Sequence, residues 1–132
     1  MHNKSQMISY DDYQKIDIRI GQVLSAEKVP ETDKLVKLSV DFGEIETVTD
    51  ETGATKSVSR PRQIISGIAL HFPVVSDLIG KKYAFVANLE PRVIKGFESQ
   101  GMILAASVKE GDSPAFSILE VSSDIPPGTK VS

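Results

Sequence analysis

Cysteine is absent from the 132 residues. That excludes disulfides, thiolate metal sites and cysteine nucleophiles, and it suits a reducing cytoplasm. Tryptophan is absent too, and the aromatics come to five Phe and three Tyr. Most of these eight fall on inward strand positions, so stacking platforms for single-stranded nucleic acid are scarce. No segment approaches the roughly 20 apolar residues of a membrane span. The opening "MHNKSQMISY" lacks the apolar stretch of a signal peptide. The expected protein is soluble and cytoplasmic, with no membrane partner.

Catalytic signatures are missing as well. The two histidines, His2 and His71, form no HExxH or other metal pairing. There is no GxSxG, no phosphate loop and no GxGxxG. The acidic run at 41–51 lacks the EF-hand pattern and reads as a solvated face. No catalytic residue, metal or cofactor is assigned, and the expected protein is not an enzyme by itself.

What remains is an ordinary globular composition, 40% apolar and 25% charged. Its length fits one domain with enough chain to bury a core. The net charge of −3 is unevenly spread. Residues 41–51 carry five acids and no base. Residues 56–62 carry Lys56, Arg60 and Arg62 with no acid. Residues 81–96 carry Lys81, Lys82, Arg92 and Lys95 against Glu90. Such local patches attract phosphates even on an acidic protein, because exposed charges are screened beyond about 8–10 Å.

Periodicity indicates strands. Residues 1–8 have none and read as a flexible tail. "SYDD" at 9–12 is a capping box with Ser9 as N-cap, opening a short helix through Lys15. "IDIRIGQVLSAEKV" alternates, with Ile16, Ile18 and Ile20 on one face, and Gly21 marks a bend. "LVKLSVDF" places Val36, Leu38, Val40 and Phe42 inward. Residues 45–49 and 56–59 are β-prone around the turn "DETGA". "QIISGIAL" is a third main strand, "PVVSDLIG" a short helix, "KYAFVANL" strand four and "MILAAS" strand five. "AFSILEV" follows the "KEGDSP" turn. One helix between strands three and four is the order of the OB-fold, a five-stranded Greek-key barrel. The strand pattern alone also admits a β-sandwich. On an OB-fold the ligand face crosses strands two and three. Lys34, Lys37, Ser39, Arg62 and the loop 88–102 surround it. With few aromatics, such a surface suits recognition of a folded RNA through phosphates and 2′-hydroxyls.

Six segments occur in a telling order: "IDIRIG" (16–21), "TDKL" (32–35), "IISGIA" (64–69), "GKK" (80–82), "ANLEPR" (87–92) and "GFESQGMILAAS" (96–107). Together they resemble the tRNA-binding domain of the methionyl-tRNA synthetase C-terminal extension or β subunit. The same domain forms stand-alone structure-specific tRNA-binding proteins. The resemblance covers residues 9–132 and implies an all-β OB-fold with an inserted hairpin at about 45–61 and an extra C-terminal β segment. It also implies shape-specific tRNA binding without chemistry, a homodimer, and a methionyl-tRNA synthetase catalytic domain as possible partner. Met1 and the short tail favour a stand-alone protein. Lys34, Asn88, Arg92, Ser99 and Met102 match motif positions of the tRNA-binding face. Arg62 and Lys95 join them on charge and loop placement. Structural alternatives stand beside several: Asn88 bonding the loop backbone, Ser99 capping a turn, Met102 in the core.

The chain departs from the family pattern at Glu90, where a lysine is common, and in "VPETDKL". Both lower the expected tRNA affinity. The inserted hairpin either extends the RNA face through Lys56 and Arg60 or serves a protein contact. The competing reading is a chaperone-like dimeric OB module that binds polypeptide. That branch usually lacks "SQGM", which this chain retains.

Overall fold

The computed structural model describes residues 6–108 and 115–132. The "KEGDSP" turn and the first five residues of the expected tail, His2 among them, lie outside that range.

The alternation in "VKLSVD" builds the middle of the barrel. In β2 (Val36–Asp41), Val36, Leu38 and Val40 have no exposed surface, and Phe42 just beyond is 5% exposed. Successive side chains of a strand point to opposite faces, so every second residue is buried. On one side β2 pairs antiparallel with β1 (Ile18–Lys28); on the other it pairs with β5 (Arg62–Ser66).

β1 is long because it serves two neighbours. Its first part, Ile18–Gln22, pairs with β6 (Lys82–Val86), and its second part, Gln22–Lys28, pairs with β2. Between these, the register slips from Val23 to Ser25 and leaves Leu24 unpaired. That bulge bends the strand around the barrel. Gly21, expected as the bend, has a different role. A Cβ there would stand 2.4 Å from Val40 Cγ1 and 2.9 Å from the Phe42 ring, so only glycine lets β1 close down on the core. Ile16 lies outside the strand and is exposed, contrary to the alternation, whereas Ile20 is buried.

The main sheet runs β5-β2-β1-β6-β9, with β9 at Met102–Ile103 and the C-terminal β12 (Lys130–Val131) also on β1. Its two edges meet through backbone and side chains. Gln100 N donates to Gln63 O at 2.8 Å, Gln63 N to Gln100 Oε1 at 3.0 Å, and Ile65 N to Ser99 Oγ at 3.0 Å. The result is a nearly closed barrel of OB type. Phe85, Leu38, Ile64 and Leu78 fill it, and the Phe42 and Phe85 rings meet edge to face at 5.2 Å. Edge-to-face packing satisfies the quadrupoles of both rings.

The short helix expected between strands three and four is present as two 3-10 turns, Ala69–His71 and Val75–Leu78. Neither has a side-chain cap, and the second serves to drive Leu78 into the barrel end. The regular helix α1 (Tyr10–Gln14) starts as the capping box indicates, with Asp12 N donating to Ser9 Oγ at 3.1 Å. The inserted hairpin is β3 (Ile45–Thr49) paired with β4 (Thr55–Ser59). Its turn is organised by Asp50 Oδ1, which accepts from Thr52 N, Thr52 Oγ1 and Ala54 N. These bonds hold the Asp50 carboxyl below its ordinary value.

"MILAAS" does not stay one strand. After β9 the chain turns out of the barrel at Leu104, and β10 (Ala105–Val108) pairs with β11 (Ala115–Ile118). Residues 119–121 return to β6, with Ala84 N donating to Leu119 O and Val121 N to Lys82 O. This is the extra C-terminal β segment. No helix among the described residues is long and apolar enough to cross a membrane.

Candidate nucleic-acid interface

The segment 88–102 reads as a glycine- and proline-bounded loop but folds as a third hairpin. β7 (Arg92–Ile94) pairs with β8 (Phe97–Ser99). The two-residue connection is Lys95-Gly96, with φ of 50° and 85°. Positive φ at both positions marks a type I′ turn, whose twist matches that of the strands it joins. Lysine rarely accepts that conformation, yet here it stands at the hairpin tip, exposed to solvent.

The hairpin is laid on the outer face of β2 and β5. Phe97 sits under Lys37 of β2, whose Nζ is 4.9 Å from the ring centroid. Lys37 also contacts Glu27 Oε1 at 2.7 Å. Gln63 Nε2 of β5 donates to Glu98 O at 2.9 Å. Behind the hairpin lies a mainly apolar groove lined by Leu89, Pro91, Arg92, Ile94 and Met102, with a volume of about 540 Å³.

The root of the hairpin is held by groups far apart in sequence. Asn88 bridges to the N-terminal segment: its Oδ1 accepts from Asp17 N at 2.9 Å, and its Nδ2 donates to Lys15 O at 2.6 Å. Ser99 is buried, and its Oγ accepts from Ile65 N and donates to Gly101 O at 3.0 Å. Gly101, at φ +150°, lets the chain pass so close that a Cβ would stand 2.9 Å from Val86 O.

Arg62 is the most fully engaged cation among the described residues. Its Nε and Nη2 donate to the two Glu44 oxygens at 2.7 and 2.9 Å. Its Nη1 donates to Ala87 O at 2.6 Å and Gln100 O at 3.3 Å. The Phe42 ring lies 5.2 Å from the guanidinium carbon. One side chain thus joins the base of the inserted hairpin to both ends of the 88–100 segment. The Arg62 hydrogen bonds hold the Glu44 carboxyl below its ordinary value, and Glu44 in turn raises Arg62. Nearby, Arg19 Nε donates to Asp17 Oδ1 at 2.9 Å.

Of the seven residues singled out in the sequence, the structure groups Arg92, Lys95 and Met102 on or beside the β7–β8 hairpin. All three are exposed. Lys34 is exposed at the foot of β2, with its carbonyl accepting from Ala69 N. It precedes Lys37 by three residues, about 10 Å along an extended chain. Arg62, Asn88 and Ser99 direct their polar atoms inward or across the root. Sequence reasoning missed Phe97, Gln63 and Gln100. It placed most aromatics inward, and five of the eight do pack there: Phe42, Tyr83 and Phe85 are buried, and Phe72 and Phe116 are partly buried against the core. Phe97 lies on the outer face instead, and Tyr10 and Tyr13 are exposed on α1. No local pattern in "GFESQG" separates Phe97 from a core residue.

Residues 18–130 match the family model described as "Putative tRNA binding domain". Over 125 residues the chain is 43% identical to a methionine–tRNA ligase of Thermotoga maritima, covering 95% of this chain and 17% of that protein. Over 124 residues it is 39% identical to that of Porphyromonas gingivalis, covering 94% of this chain and 15% of the ligase. The chain therefore spans only a small part of the ligases it matches. Among solved structures, the MetRS related protein from Pyrococcus horikoshii superposes with a TM-score of 0.76 at 34% identity, covering 96% of this chain and 99% of that one. The chaperone CsaA from Bacillus anthracis superposes at 0.68 with 28% identity, covering 96% and 99%. The chain belongs to the tRNA-binding domain family, as a non-catalytic binding domain on a barrel of OB type.

Proposed function

We propose that this chain binds tRNA by its folded shape, across the face formed by β2, β5 and the β7–β8 hairpin. The observation that carries the reading is the hairpin itself. It is pinned over the outer face by Phe97 and Gln63, and it holds Arg92 and Lys95 out into solvent. Lys34 extends the cationic line to the foot of β2. Such groups meet phosphates, which position a nucleic acid without reading its sequence. Met102 and the groove beside it take the apolar faces of sugars or an unpaired base. Asn88, Ser99 and Arg62 serve the same site by holding the hairpin root in place.

The module acts either beside a methionyl-tRNA synthetase catalytic domain or alone, in the cytoplasm, as a homodimer. Two observations support the dimer. Leu70, Val108 and Leu119 are exposed, and the segments that carry them are joined by the His71–Phe116 stack, with ring centroids 3.9 Å apart. A sedimentation run showing only a 14.4 kDa species at micromolar concentration excludes it.

The test of the main reading is a filter-binding titration of total tRNA at about 50 and 200 mM salt. Wild type and a Lys34→Ala/Arg92→Ala double variant are compared. The expected result is a steep salt slope for wild type and at least about tenfold weaker binding for the variant, some 1.4 kcal/mol. Wild type that fails to bind at the lower salt refutes it. Polypeptide binding is the second reading, favoured by the likeness to CsaA and by the apolar groove at Leu89, Ile94 and Met102. It predicts binding of unfolded chains that varies little with salt and falls when Met102 becomes Asp.

A further inference from the structure

The segment 89–91 is a ridge with a different surface on each side. One flank, with Ile94 and Met102, is the apolar groove described above. The other is a polar cleft of about 200 Å³, reached by the same Leu89 and Pro91 and walled opposite them by Arg60 and Pro61. Glu44, Arg62 and Gln100 complete it.

The charges in this cleft are unequal in availability. Both Glu44 oxygens are taken by Arg62. Asp17 is held by Arg19 in the adjoining recess, which Glu44 and Arg62 also line. Arg60 reaches Glu44 only through space, and its own backbone N–H donates to Glu44 O at 2.9 Å. Three guanidiniums, Arg19, Arg60 and Arg62, thus face two carboxylates, Asp17 and Glu44. Both carboxylates are occupied, and among the described residues lining these two recesses the cation left over is the exposed Arg60 at the base of the inserted hairpin.

We propose that this cleft is a phosphate subsite for the tRNA backbone, with Arg60 as its contact, so that the inserted hairpin adds one phosphate contact to the tRNA face. The inference rests on the tRNA-binding reading above. A guanidinium presents a fork of N–H donors suited to phosphate oxygens. Leu89 and Pro91 border both the groove that holds Arg92 and the cleft that holds Arg60, while the exposed Glu90 between them lines the groove and not the cleft. A backbone seated at Arg92 that passes this ridge enters the cleft at Arg60. The far end of the insert is excluded from the subsite. Lys56 lies four residues further along β4, about 13 Å away on an extended strand, beside Asp50 in a separate recess.

The experiment is the salt dependence of total-tRNA binding by the full chain, for wild type, Arg60→Ala, Arg60→Lys and Lys56→Ala. Each phosphate contact adds about 0.7–0.9 to the slope of log K against log salt. Arg60→Ala is expected to lose about that much slope and to bind roughly fivefold more weakly at about 0.1 M salt. Arg60→Lys is expected to keep most of the slope, and Lys56→Ala to stay within about twofold of wild type. An unchanged denaturation midpoint for Arg60→Ala is the expected sign of an intact fold, because among the described residues its side chain forms no hydrogen bond or ion pair, and only its backbone N–H is bonded, to Glu44 O. A wild-type slope in Arg60→Ala overturns the subsite while leaving the tRNA reading standing. An equal loss in Lys56→Ala also overturns it, since the effect is then one of general charge. Wild type that binds no tRNA defeats both readings, whereas wild type that binds with a slope unchanged by Arg60→Ala defeats the subsite alone.

Discussion

Replacing Arg62 by Met tests the joint between the inserted hairpin and the binding face. The change removes four hydrogen bonds, two to Glu44, one to Ala87 O and one to Gln100 O. It keeps an apolar stem against Phe42, so the polar part is isolated. Hydrogen bonds to charged groups contribute about 1.5–3 kcal/mol each. The Arg62 and Glu44 side chains are 25% and 38% exposed, so water recovers much of that loss. A net cost of roughly 2–3 kcal/mol remains, lowering Tm by about 6–12 °C for a domain of this size. Urea denaturation measures it directly, and Glu44→Gln in both backgrounds completes a double-mutant cycle. The expected coupling is at least about 1 kcal/mol, because the two side chains share one bidentate contact. A cost below about 0.5 kcal/mol, or strict additivity, refutes the joint. If stability holds while tRNA affinity falls, Arg62 is an RNA contact and not a brace.

Gly101→Ala places a Cβ 2.9 Å from Val86 O at a φ of +150°. Strain of this kind costs about 1–3 kcal/mol, so urea denaturation should give at least 2 kcal/mol with the clash included; a neutral variant shows that the 99–102 corner is not rigid. Burial, with Glu120 nearby, pushes the Tyr83 hydroxyl up to about 12. A raised tyrosine favours the neutral folded form, so its contribution is complete below pH 10 and is lost between about 10 and 12, up to roughly 2 kcal/mol. Tyr83→Phe should flatten that alkaline limb in pH-dependent melting, and an identical limb in the variant rules Tyr83 out. Glu44 has the opposite sign. Its lowered value adds stability above the ordinary glutamate pKa of about 4.3, lost as pH falls through the folded value. Glu44→Gln should therefore be less sensitive than wild type below about pH 4.5, and equal acid sensitivity excludes this link.

Local chemistry made much of the fold legible. Alternation alone identified the buried set Val36, Leu38, Val40 and Phe42. The Ser9 capping box and the "DETGA" turn gave correct positions for α1 and the inserted hairpin. These features depend on residues within a few positions of one another, where periodicity and side-chain-to-backbone bonds decide the outcome. The sequence also contained enough ordered motifs to indicate the tRNA-binding family, because those motifs are strings of adjacent residues.

What only the tertiary structure decided were contacts between distant segments. Asn88 closes on Lys15, Ser99 on Ile65, and Arg62 on Glu44 and Ala87. A lone Arg, Asn or Ser has the same donors whether it faces a phosphate or its own backbone. Its neighbours in space make the choice, and they are 18 to 73 residues away. The same holds for Ile16, left exposed where β1 has not yet met β6, and for "MILAAS", split at Leu104 where β10 leaves the barrel to pair with β11. Strand character is local, but where a strand ends depends on the partner it finds. Burial patterns therefore follow from the sequence, whereas the partner of each polar group follows from the closure of the barrel.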